Sequence, residues 1–393
     1  MSAGNDVVIR STGISKPIFI ISLVVVAAIS GVAGYLVPAL LKHSSSVITI
    51  NGAGSSFVFP LLSAIDANYT ASDPSVQINY QSVGSGAGIT DFSTKIVDFG
   101  ATDAPLTGGQ SGQRANITRD TGTPLTIPES IGAVAIAYNV NGISTGLKLN
   151  STVAAMIFQG NITKWNDSRI ANLNSGLTLP SATITVVHRS DSSGTTFIFS
   201  NWLNSSNTNF PWKLGVSKTP KWQYGTTATY LSLPQNVGVA GGVQQNPDTI
   251  GYVELNYVLS TSPPMTYAAI LNGDQNSYVL PSLASSTYAV NNSTASLPAG
   301  DGDWSKTTLL DAHGIASYPI VSFTYLLVFK ELSVVPGMTQ AKAQAFVNYL
   351  WFVVHSGQDQ ATKLSFVALP FQVVTIDEAA IRMITYNSVT LHS

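Results

Sequence analysis

From Val47 onward the chain repeats one alternation, and that alternation limits the fold more than any other feature. Apolar, β-branched runs at Val47–Ile50, Val76–Tyr80, Ile96–Ala101, Gly132–Tyr138, Ile184–His188, Thr249–Val253 and Ile320–Phe329 read as strands. Between them, Val58–Tyr69, Thr152–Phe158, Thr196–Trp202 and Gln340–His355 carry helical spacing. Strands separated by helices argue for an α/β architecture. The Pro-, Gly-, Ser- and Asn-rich stretch 261–303 reads as loops and short strands. The long apolar runs at 131–138 and 320–329 could pass between two lobes, one built from both ends of the chain and the other from its middle. The expected domains are lobe I at 48–133 and 321–393 and lobe II at 134–320.

Ahead of this lies PIFIISLVVVAAISGVAGYLVPALL, residues 17–41, without a single charge. At about 1.5 Å per helical residue it can cross a hydrocarbon core of about 30 Å. A cleaved signal peptide has a shorter apolar stretch, of about 7–15 residues. We therefore expect one N-terminal transmembrane helix, with 1–16 as a cytoplasmic tail and 42–47 as a linker; the alternative is a signal segment cut near the small residues Gly31 and Ala33, which would release the protein but leave apolar YLVPALL on the mature end. Two basic residues before the span, Arg10 and Lys16, against one after it, Lys42, weakly place the tail inside and the remainder outside by the positive-inside rule. Sequons at Asn68, Asn116, Asn150, Asn161, Asn166, Asn204, Asn291 and Asn292 fit an exterior, glycosylated domain, although a chain this rich in Asn, Ser and Thr produces them by chance.

Charge is scarce. Asp, Glu, Lys and Arg make up 10% of the residues, the net charge is −2 and cysteine is absent; soluble domains average about 25% charged. The absence of cysteine excludes disulfide scaffolds, thiol catalysis and cysteine-based metal sites. The charge balance argues against a nucleic-acid binder. A surface wetted by Ser, Thr and Asn changes little with pH, which points to an acidic exterior habitat.

Four segments carry chemistry. Gly52-Ala-Gly-Ser-Ser-Phe-Val-Phe-Pro60 follows a strand and opens a helix, so backbone N–H groups and a hydroxyl face outward, a natural anion site that also fits an ordinary capped helix. Gly84-Ser-Gly-Ala-Gly88 allows close backbone approach but lacks the spacing of a dinucleotide or P-loop fingerprint. Asp98-Phe-Gly-Ala-Thr-Asp103-Ala-Pro105 puts Asp103 at a strand mouth, where an Asx turn is the plain alternative. His188-Arg-Ser-Asp-Ser-Ser-Gly-Thr-Thr-Phe197 ends a strand on Arg189, with Asp191 close enough to orient the guanidinium and Ser193-Gly194-Thr195 opening a helix. With only 18 Lys and Arg in the chain, an arginine there favours an anion site.

Together these segments resemble the periplasmic-type phosphate-binding proteins of phosphate-specific ABC transporters. The resemblance runs through NGAGSSFVFP, INYQSVGSGAG, IVDFGATDAPLT, IGAVAIAYN, ITKWNDSRIANLN, VVHRSDSSGTTFIF, IGYVE, GDWSK and YPIVSFTYLLV, and covers nearly all of 47–393. It implies a two-lobe, type II clamshell that closes on one phosphate. Ser56 and Phe57 would supply a hydroxyl and a backbone N–H, and Ser85 a second hydroxyl. Arg189, Ser193, Gly194 and Thr195 would form the second lobe's donors, with Asp191 holding Arg189. Asp103 would accept the proton that phosphate carries and sulfate lacks. The chain departs from its relatives in Ser-Ser at the first loop and SGAG at the second. The implied partners are inorganic phosphate and the permease subunits; no metal or other cofactor is expected, and the protein is expected to be a monomer.

Other readings are a binder for sulfate, molybdate or tungstate, which an aimed carboxylate disfavours, and a secreted phosphatase or serine hydrolase, for which no G-x-S-x-G elbow or paired histidines exist. A surface-layer or adhesion protein would show repeats, and none is seen.

Overall fold

The computed structural model describes residues 47–206, 210–222 and 229–392. The apolar run 17–41, with the tail and most of the linker around it, lies outside the described residues. Among the described residues no helix is long and apolar enough to cross a membrane.

Residues 48–393 form one compact unit. Its elements are β1 (Ile48–Gly54), α1 (Phe59–Ser72), β2 (Val76–Ser82), α2 (Ser85–Ser93), β3 (Phe99–Thr102), α3 (Gln113–Asp120) and β4 (Pro124–Asn139). Then follow β5 (Lys148–Leu149), α4 (Ser151–Phe158), α5 (Ser168–Leu173), β6 (Thr185–Arg189), α6 (Gly194–Ser205), β7 (Thr229–Leu233), α7 (Gln235–Gln245), β8 (Thr249–Glu254) and α8 (Leu255–Leu259). The chain closes with β9 (Thr266–Tyr267), β10 (Ala269–Leu271), β11 (Tyr278–Val279), α9 (Leu283–Asn291), β12 (Val321–Phe329), α10 (Gln340–Val354), α11 (Phe371–Arg382), β13 (Thr385–Tyr386) and β14 (Val389–Thr390).

Every run expected as a strand holds one; β1 and β2 run on past their expected ends to Gly54 and Ser82, and β4 and β3 differ in extent as well. β4 is 16 residues rather than the expected seven, because Pro124–Ile131 continue the pairing with β12. β3 begins only at Phe99, since Ile96 is exposed after the turn that ends α2. The 261–303 stretch also contains a helix, α9. Ser282 starts it with a reciprocal capping box to Ser285, a signal hidden in a Ser-rich segment.

The main sheet runs β2-β1-β3-β12-β4-β8-β6-β7, with β9 alongside β4. β4 is its spine. Residues 124–133 pair antiparallel with β12, and residues 134–139 pair antiparallel with β8. Of its 16 residues only Asn139 is not fully buried, which explains the unbroken apolar reading of its second half. β1, β2 and β3 run parallel on one side, and β6, β7 and β8 run parallel on the other.

Helices cover the sheet faces. Around Phe99, the rings of Phe346 and Tyr349 from α10 close at 5.9 and 6.0 Å. Around Tyr252, Phe199 of α6 stacks at 4.5 Å and Trp222 at 5.7 Å.

Candidate anion-binding site

In parallel α/β sheets the carboxyl ends of the strands carry the functional loops. Here the carboxyl ends of β1, β2, β3, β6, β7 and β8 are followed or ended by Ser55 and Ser56, Ser85, Asp103, Arg189, Asn236 and Glu254 respectively.

Asp103 is 1% exposed and is surrounded by hydroxyls. Ser55 Oγ donates a short hydrogen bond to Oδ1, and Thr324 Oγ1 of β12 lies 3.1 Å from the same oxygen. Ser85 Oγ donates to Oδ2 at 3.3 Å. Burial pushes this carboxyl up to about 6, against the pull of the Ser55, Thr324 and Ser85 hydroxyls and the Arg189 charge.

Arg189 is 4% exposed. Its Nε donates to Asp191 Oδ1 at 2.7 Å and Nη2 donates to Oδ2, a two-pronged pair. Nη1 reaches Thr195 Oγ1 at 3.4 Å. Burial alone would raise the Asp191 carboxyl; the Arg189 fork and charge outweigh it and hold the group below its ordinary value. Gln235 N–H adds a bond to Asp191 Oδ1 at 3.0 Å.

Ser193 caps α6 by accepting from Thr196 N–H at 3.1 Å, so the free N–H groups of that first turn belong to Gly194 and Thr195. Gly194 has to be glycine. A Cβ there would collide with Ser85 Oγ and Asp103 Oδ2, which places the arginine loop directly against the Asp103 cluster.

The two loop sets also bond to each other. Gly86 N–H donates to Ser192 O at 2.8 Å, and Gln235 Nε2 to Ser82 O at 2.5 Å. Asn236, fully buried at the start of α7, donates from N and Nδ2 to Ser56 Oγ at 3.1 and 3.0 Å, and from Nδ2 to Thr195 Oγ1 at 3.1 Å. Its Oδ1 accepts from Glu254 N–H at 3.0 Å. Tyr257 OH donates to Ser56 O at 2.7 Å.

All eight expected contact residues and Asp191 thus converge. Some details differ from what the motifs alone imply. The hydroxyl on Asp103 belongs to Ser55, whereas Ser56 turns to Asn236, and the Phe57 N–H donates to Ser55 Oγ at 2.9 Å. Sequence reasoning missed Ser55, Asn236, Thr324 and the buried acids Glu129 and Glu254. The available signal for Thr324 and Glu129 was a polar residue inside an otherwise apolar strand run; Asn236 gave none. Among the described residues no cluster of His, Cys, Asp and Glu is arranged to hold a metal.

Residues 42–351 match the model of the PBP superfamily domain. The phosphate-binding protein PstS of Xylella fastidiosa strain 9a5c is 36% identical over 338 residues, 84% of each chain. That of Methanocaldococcus jannaschii is 32% identical over 349 residues, 87% of this chain and 88% of its own. The chain belongs to the PstS family. Solved structures agree on the fold. The high-affinity periplasmic phosphate-binding protein PfluDING, bound with phosphate, has a TM-score of 0.66 at 20% identity, over 84% of this chain and 93% of that one. The phosphate-binding protein of Stenotrophomonas maltophilia has 0.64 at 17%, over 85% and 93%. As a member of the PstS family the chain has the two-lobe, periplasmic-binding-protein-like α/β architecture.

Proposed function

We propose that the chain is an extracytoplasmic solute-binding protein that captures inorganic phosphate between two lobes and delivers it to an ABC transporter permease. Its chemistry is binding and transport rather than catalysis. The observation that carries the reading is the abutment of Asp103 on the Gly194 turn beside Arg189.

Each carboxylate oxygen can accept about two hydrogen bonds. Ser55 and Thr324 supply two to Oδ1, and Ser85 one to Oδ2, so Oδ2 retains acceptor capacity on the side of Gly194. A phosphate oxygen bearing hydrogen satisfies it. A sulfate oxygen would set two negative groups in contact in a dry site. The guanidinium N–H groups of Arg189 not taken by Asp191, the Ser56, Ser193 and Thr195 hydroxyls, and the N–H groups of Gly194 and Thr195 are the donors assigned to the anion; Ser85 and Phe57 serve the site through the bonds they give to Asp103 and Ser55. Asp191 keeps Arg189 aimed.

We assign lobe I to 48–133 and 321–393 and lobe II to 134–320, because β4 changes partner from β12 to β8 at residues 133 and 134. Residues 17–41 serve as the membrane anchor, with the binding domain outside, monomeric and glycosylated at some of its sequons. Calorimetric titration of the protein with phosphate and with sulfate tests the reading. Phosphate binding with sulfate excluded is expected near pH 7. Equal affinity for both anions would remove Asp103 from its role, and no binding of either would remove the function.

A further inference from the structure

Behind Asp103 stands a second acid that the phosphate reading does not use. Glu129 is 1% exposed in the centre of the sheet. It is the extra residue of a β-bulge: Thr324 pairs with Ser130 and Tyr325 with Pro128, leaving Glu129 without a partner across the ladder. Bulges next to binding sites re-aim side chains. This one points Glu129 Oε1 at Thr324 Oγ1, 3.1 Å away, and the same hydroxyl lies 3.1 Å from Asp103 Oδ1. Glu129 Oε2 has no hydrogen-bond partner among the described residues.

A hydroxyl has one hydrogen, so Thr324 can donate to only one of the two carboxyls. The other two hydroxyls on Asp103 show how such a choice is made. Ser55 Oγ accepts from Phe57 N–H at 2.9 Å, which turns its hydrogen onto Asp103. Ser85 Oγ accepts from Asp103 N–H at 3.1 Å and turns its hydrogen the same way. Each is loaded from behind by a donor. Among the described residues the only group in that position for Thr324 is Glu129, and it can donate only as a neutral acid.

We infer that Glu129 is a positioning residue for phosphate selection: it stays protonated, donates to Thr324 Oγ1, and so commits the Thr324 hydrogen to Asp103. Burial favours the neutral form, as do the carboxyls of Asp103 and Asp66, and the Thr324 hydroxyl is the one opposing contact. The phenols of Tyr80 and Tyr349 also face this interior. Around Asp103 the remaining titratable neighbours are Arg189, Glu254, Tyr257 and Tyr325. With all three hydroxyls locked as donors, Asp103 is held as an acceptor. Without the lock, Thr324 could equally accept from a protonated Asp103, and the carboxyl would neutralise at higher pH.

This inference rests on the phosphate reading, and the test separates the two. Phosphate and sulfate affinities of the full chain are measured from pH 4.5 to 8.5 for the wild type, Glu129→Gln, Glu129→Leu and Thr324→Val. The infrared carboxyl C=O band is compared between wild type and Glu129→Gln at pH 7.5. We expect a protonated-carboxyl band that disappears in Glu129→Gln. The pH at which selectivity over sulfate is half lost should rise in Glu129→Leu by about one unit, the size of one hydrogen bond to a charged group. Glu129→Gln, whose amide still donates, should restore most of the wild-type profile. Thr324→Val should show the same upward shift, and the Leu–Val double variant no more than either alone. An unchanged band in Glu129→Gln, or a Glu129→Leu profile superimposable on wild type, overturns the inference. Wild type that binds neither anion overturns the phosphate reading itself, while the infrared comparison still reports whether Glu129 is neutral. If Glu129→Leu does not fold, the band and the Thr324→Val profile decide.

Discussion

The two sides of the site solve opposite problems with the same residue types. On the β1–β3 side a carboxylate is the central group, and neutral hydroxyls from Ser55, Ser85 and Thr324 converge on it. On the β6–β8 side a cation is central, and a carboxylate, Asp191, holds it from behind. The first side buries an acceptor that can read a proton. The second buries a donor already paired with a carboxylate. A site with only the second would bind any tetrahedral anion, and one with only the first would bind none.

If that division is right, the largest loss comes from the cation. Arg189→Ala should weaken phosphate binding by on the order of a hundredfold or more, since breaking a buried pair strands Asp191 and costs about 3 kcal/mol or more. Binding within a factor of three of wild type in calorimetry would break the comparison. Next comes Asp103→Asn. It should narrow the phosphate-to-sulfate affinity ratio by about tenfold or more while leaving an anion site in place; a ratio unmoved by the change would assign selectivity to the Arg189 side instead. Asn236→Ala tests the seam between the two sides. Its amide bridges Ser56 and Thr195, so losing two buried bonds should cost about tenfold in affinity for both anions equally. A loss confined to one anion would make Asn236 a selector rather than a brace.

The last expectation concerns the pH dependence of stability rather than affinity. Burial raises the carboxyls of Asp66 to about 7, Asp103 to about 6 and Asp311 to about 6. In the unfolded chain each titrates near 4. Between about pH 4 and 7 the folded protein therefore holds more protons, and stability falls as pH rises through that window. The reverse holds for Glu331, held down to about 2 by hydrogen bonds that outweigh its burial, whose contribution is lost in acid below about pH 4. The urea midpoint should thus be higher at pH 5 than at pH 8. A midpoint that climbs steadily to pH 8 would contradict both the raised carboxyls and the acidic habitat suggested by the sparse charge.

Most of the fold and most of the candidate site were legible in the sequence, and the boundary between what was read and what was missed has a physical cause. The strand-to-loop segments around Ser56, Ser85, Asp103 and Arg189 are local: glycine, hydroxyl and charge sit within a few residues of each other, so spacing alone exposes their geometry. Asn236 and Thr324 reach the site from 41 and 221 positions away from Thr195 and Asp103; a polar residue in an otherwise apolar run is all that marks Thr324, and nothing nearby marks Asn236. The swap between Ser55 and Ser56 was unreadable for another reason. Adjacent serines at a strand end point opposite ways, and only the tertiary position of Asn236 says which faces Asp103. α9 hid because its cap and its first turn share the Ser-rich composition of a loop.

The spine strand has one further consequence. Residues 133 and 321 are paired, and Val134 N–H donates to Ile320 O at 2.9 Å, so the whole segment 134–320 leaves and re-enters the chain through a single doorway. A stretch whose ends meet can be excised, exchanged or given new termini at modest entropic cost. The molecule is in that sense a cassette within a frame. The same doorway is where a fluorescent reporter or a foreign recognition half could be grafted while β1 to β3 and β12 keep their pairing.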